Sequence, residues 1–168
     1  MTFSPADFGP VFGELLDVDR ERALDEGSPQ MVDRARLESL TVEQAFAHAQ
    51  VVDHDQGSCC LSGIWLLYDF LDQSHTISQG IATAEGSFWH GIMHRREGDY
   101  SNAKYWFRKV GQHPVYEQIS AGWDPYEFVD ACQVAVRKGR DDAISCRELQ
   151  QLEWEHLFRY CYEQAIGG

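Results

Sequence analysis

The chain has 168 residues and a mass of 19.2 kDa, enough to bury one core without disulfide or metal staples. Its 27 acidic residues against 14 basic ones give a formal net charge of −13, which disfavours nucleic acid or an anionic membrane surface as a partner, because both demand cationic side chains. An apolar content of 43% argues against general disorder, and the longest apolar run, Cys59 to Leu71, is too short to span a bilayer and contains Asp69.

Residues 1–35 hold prolines, glycines and scattered apolar anchors with weak periodicity, so they read as an N-terminal arm or irregular cap with one short helix near Val11–Val18. Residues 36–168 read as a single helical domain. A helix is expected after Thr41, where Thr41 and Gln44 have capping-box spacing and Val42, Ala45, Phe46 and Ala49 follow at helical intervals, and DHDQGS follows as a loop. Ser58 can cap an apolar helix that runs to Phe70 or Asp72; a buried strand is the rival reading, and a length of about 13 residues favours the helix. Further helices are expected from Thr83 to Glu97, from Asn102 to Val110 after a Ser101 cap, and from Asp124 to Lys138, where Pro125 and Glu127 strengthen the start. Ser145 and Glu148 form another capping-box spacing, with the last helix reaching Ala165. The expected fold is all-α, a compact bundle or array of six or seven helices.

The segment from Ala84 to Glu117 resembles one tetratricopeptide-type (TPR-like) helix pair. Gly91 matches the small residue where that family's helices approach, Gly98 and Tyr100 its turn, Ala103, Phe107 and Val110 the second helix's apolar face, and Pro114 its exit. Cys59–Gln79 with Glu85–Tyr116 is also similar to an uncharacterised family of small bacterial and fungal proteins. That resemblance implies a shared helical core and assigns no activity.

Candidate chemistry gathers in residues 81–113, a stretch of net charge +2 in an acidic chain. His90 and His94 are one helical turn apart, and Glu97 falls within about 60° of both on the helical wheel. Two imidazoles and a carboxylate can ligate a divalent transition metal, with Asp69, His75 or His113 as further ligands from adjacent elements. HGIMH places Gly91 where the zinc-protease motif needs its base, so a metallopeptidase is disfavoured. The same histidines can instead serve as hydrogen-bonding core residues.

Asp69, inside WLLYDFL, requires a partner if buried: His90 or His94, or one of Arg95 and Arg96. Paired with a histidine it would be a general acid/base candidate; Glu97 is another, and Cys59 near a helix start is a candidate nucleophile. Arg95 and Arg96 with Trp89 and Trp106 could bind a small anionic ligand. The leading reading is a cytoplasmic binding or interaction protein with a groove beside Phe88, Ile92, Arg95 and Arg96. The alternatives are a metal-dependent hydrolase or oxidoreductase at His90/His94 and a metal-free pocket for a small anion.

Overall fold

A computed structural model of the chain describes residues 2–168, without the side chains of residues 140–143. The fold is all-α. Among the described residues there are ten α-helices, not the six or seven expected: α1 (Gly9–Leu16), α2 (Arg34–Glu38), α3 (Val42–Ala45), α4 (His54–Leu67), α5 (Leu71–Ser78), α6 (Ala84–Arg96), α7 (Tyr100–Val110), α8 (Val115–Ile119), α9 (Pro125–Lys138) and α10 (Arg140–Ile166). The excess has two causes. Helices α2 and α8 have only five residues each, too few to show a period. The run expected as one helix to Phe70 or Asp72 breaks at Asp69, whose φ of 62° is left-handed, so α5 is separate.

Local chemistry explains most helix starts. Thr41 and Gln44 make both bonds of a capping box. Asp53 caps α4 through the amide of Gln56, so DHDQGS forms the first turn of that helix rather than a loop. Thr83 caps α6, and Asp99, not Ser101, caps α7. Asp124 accepts from two amides at the start of α9. Helix α10 is continuous from Arg140, so Ser145 lies within it.

Helix α4 packs against α3, α5, α6 and α10, and its buried side chains face most directions. Trp154 of α10 donates to the Gly63 carbonyl at 3.0 Å, joining α4 to α10. Helices α6 and α7 pack antiparallel: His94 meets Asn102, and His90 meets Trp106. Their approach is close at Gly91, where an added Cβ would stand 3.1 Å from the Phe107 ring. Phe8, Phe12, Leu15 and Leu16, from the segment expected as an arm or cap, are buried in the same core.

Residues 17–30 form no helix. This strap is held through its carbonyls by side chains of other elements: Gln150 donates to Arg22 and Ala23, and Arg96 donates to Asp25. No helix among the described residues is long and apolar enough to cross a membrane.

Candidate metal centre

Helices α5 and α6 lie side by side, and three imidazoles converge between them. His75 comes from α5, and His90 and His94 from consecutive turns of α6. One ring nitrogen from each lies within 4.8 Å of the other two. Ring centroids are 4.5 Å apart for His75–His90, 4.7 Å for His90–His94 and 5.4 Å for His75–His94. His90 and His94 are buried, and His75 is half-buried.

Hydrogen bonds hold the two rings of α6. The Ser78 hydroxyl lies 2.9 Å from Nδ1 of His90 and 3.3 Å from the His75 carbonyl, which fixes the orientation of the His90 ring. Glu97 can only accept, so at 2.6 Å it takes the Nδ1 proton of His94. The neutral His94 ring then carries its lone pair on Nε2, the tautomer a metal ligand needs. Burial, then the neighbouring His94, His75 and Lys109, push His90 down to about 3, so it is neutral at pH 7.

The donor set suits Zn²⁺, Co²⁺ or Ni²⁺. Nitrogen ligands of a tetrahedral zinc centre sit about 3.4 Å apart, so the observed separations close with small side-chain movements. Three imidazoles leave a position for a fourth ligand. Glu97 holds His94 at Nδ1 and, with His94 and Asp99, forms a second cluster.

No protein-family model, curated protein or solved structure matches the chain.

Several side chains singled out in the sequence lie elsewhere. Asp69 meets neither His90 nor His94. Its carboxylate accepts from Arg96 at 2.7 Å and from the Ser28 amide at 3.2 Å, which removes the Asp–His acid/base pair. The cause is the chain reversal at Asp69, which turns its side chain toward the strap. Gly27 packs directly on it, and an added Cβ there would stand 2.7 Å from the carboxylate.

Arg95 is buried against Glu153, at 3.1 Å for one nitrogen–oxygen pair, with the Phe128 ring 4.5 Å from its guanidinium carbon. Arg96 spends its donors on Asp69 and on the carbonyls of Leu66, Asp25 and Glu26. Neither is free for an anion. The 410 Å³ cavity that Arg96 lines is otherwise acidic, with Asp25, Glu26 and Glu97. Phe88, Ile92, Arg95 and Arg96 are each no more than 2% exposed, so the expected groove is sealed. Trp89 is a core residue against Trp154. Cys59 is fully buried; the neighbouring Cys161 thiol and burial raise its pKa well above the ordinary thiol range, the reverse of an activated nucleophile.

Trp106 does reach the centre, with its ring centroid 4.0 Å from that of His90. The contributions that sequence reasoning missed are Ser78, Asp99 and Asn102. Ser78 carried a usable signal, since it follows His75 by three residues on one helix. Asn102 is placed only by the α6–α7 turn, and its Nδ2 lies 3.0 Å from Nε2 of His94.

Proposed function

We propose that this protein binds a divalent transition metal on the imidazoles of His75, His90 and His94. The convergence of three histidines from two helices carries this reading, and the bond from Nδ1 of His94 to Glu97 supports it by leaving the lone pair of that ring on Nε2. In this reading the ligand of the binding protein is the metal itself. The five cysteines are free and buried, which supports a reducing, cytoplasmic setting.

Metal analysis of protein purified without chelator tests the proposal, followed by Co²⁺ titration of chelator-stripped protein. The expected result is one ion per chain, with saturable uptake that His90→Ala and His94→Ala each weaken by at least about a hundredfold, the loss of one of the three ligands to a first-row ion. Absence of stoichiometric metal together with absence of saturable uptake overturns it, as does uptake indifferent to both substitutions.

A further inference from the structure

The centre has a side that its three ligands leave unaccounted for. Asn102, Trp106 and Lys109 occupy positions i, i+4 and i+7 of α7, a single stripe along that helix. The Asn102 amide donates to Nε2 of His94 at 3.0 Å, onto the lone pair that a metal ion would take, so an ion bound there would displace this donor and leave it free at the edge of the site. Trp106 lies on His90, and the Lys109 ammonium sits 4.2 Å from the Trp106 ring centroid. One wall therefore offers an amide donor, an indole face and a cation.

Charge points the same way. Three neutral imidazoles bring no negative charge to a bound dication. Glu97 is bonded to Nδ1 of His94, away from Nε2, and both it and Asp99 are exposed to solvent, while Lys109 adds a positive charge. A dication held here leaves a surplus of positive charge in a partly buried site, which is costly unless an anion joins it. The vacant fourth position is where that anion would coordinate.

We propose that the Asn102–Trp106–Lys109 face of α7 is an anion subsite of the metal centre, which takes a small carboxylate as the fourth metal ligand and holds its second oxygen by the Asn102 amide and the Lys109 ammonium. This rests on the metal reading above. A carboxylate suits the wall because one oxygen can coordinate the ion while the other accepts a charge-assisted hydrogen bond. The ion and Lys109 are both cations, so they repel each other without the anion and are joined by it.

The test uses the full chain loaded with Co²⁺ and titrated with acetate, against perchlorate at the same ionic strength. The d–d absorption of the Co²⁺ reports its ligands. Acetate, and not perchlorate, is expected to give a saturable spectral change and to tighten Co²⁺ binding by about tenfold. Lys109 is exposed, so Lys109→Met should fold as the parent does. That variant is expected to bind Co²⁺ in acetate-free buffer at least as tightly as the parent, and to lose about tenfold in acetate affinity. Co²⁺ binding with no acetate response beyond perchlorate overturns the subsite alone, as does a Lys109→Met protein that responds like the parent. Failure to take up Co²⁺ at all overturns the metal reading and the subsite together.

Discussion

Replacing Glu153 by Gln removes one charge from a pair that water does not reach. Arg95 is 1% exposed and Glu153 0% exposed, and both guanidinium Nη atoms donate to the one carboxylate. Burial pushes the Glu153 carboxyl above its ordinary range, with Arg95 pulling the other way. The glutamine keeps the shape but strands the guanidinium, a loss of about 3–5 kcal/mol for a broken buried pair. A domain of this size has a total stability of about 5–15 kcal/mol, so the effect is large. The double variant Arg95→Met/Glu153→Met fills similar volume without charge and also removes the Arg95 Nε–H, which has no partner. Its stability should lie from near neutral to about 4 kcal/mol above the parent. Urea unfolding of metal-stripped protein, followed by tryptophan fluorescence, measures Glu153→Gln and the four corners of the cycle formed by the parent, Arg95→Met, Glu153→Met and the double variant. A Glu153→Gln loss below about 1 kcal/mol would refute the reasoning, and so would a double variant as unstable as Arg95→Met and Glu153→Met summed.

Asp69→Asn should cost about 3 kcal/mol, the lower end for a buried pair, because Arg96 keeps its carbonyl acceptors; a change under about 1 kcal/mol in the same urea assay speaks against the anchor. Burial alone would raise the Glu85 carboxyl, but bonds from His113, its own amide, Gln56 and Thr83 outweigh burial and hold it at about 2. Its folded value lies below the unfolded one, so this stabilisation is complete above about pH 4.5 and is lost as pH falls toward 2. The amount is at most about 3 kcal/mol. Urea midpoints from pH 6 to 2.5 should fall less steeply for Glu85→Gln, and parallel curves would contradict the assignment. All five thiols are buried, so a thiol reagent should label the native protein only at the rate of its opening; rapid labelling of Cys59 without denaturant would show that burial wrong.

What could be read from the sequence was local. Thr41, Thr83 and Asp124 cap within three residues of themselves, and His90 and His94 face together because a helix repeats. The helix break at Asp69 was hidden because a non-glycine residue takes the left-handed conformation there, within an apolar run. Arg95 and Arg96 look like surface residues by type, yet their carboxylate partners lie 58 and 27 residues away in the chain. The third imidazole had the same obstacle, since only the docking of α5 on α6 brings His75 to the other two. Phe8 and Phe12 belong to a segment whose single α-helix spans eight residues, too short for its periodicity to announce a core.

The strap over residues 17–30 has a bearing on the order of assembly. Its carbonyls are taken by Arg96 and Gln150, at separations of 71 residues from Asp25 and of 128 and 127 from Arg22 and Ala23. None of these bonds can form until α6 and α10 have docked, and closing such long loops is slow compared with forming helices. These carbonyl bonds are therefore expected late in folding, after the nearer ties of the strap to the end of α4 through Arg22 and Ser28, and the same dependence exposes them early in unfolding. Their release would leave Arg96 without two of its carbonyl acceptors while the helices beneath were still packed. Near its start the chain thus carries a seam that is sewn last and opens first.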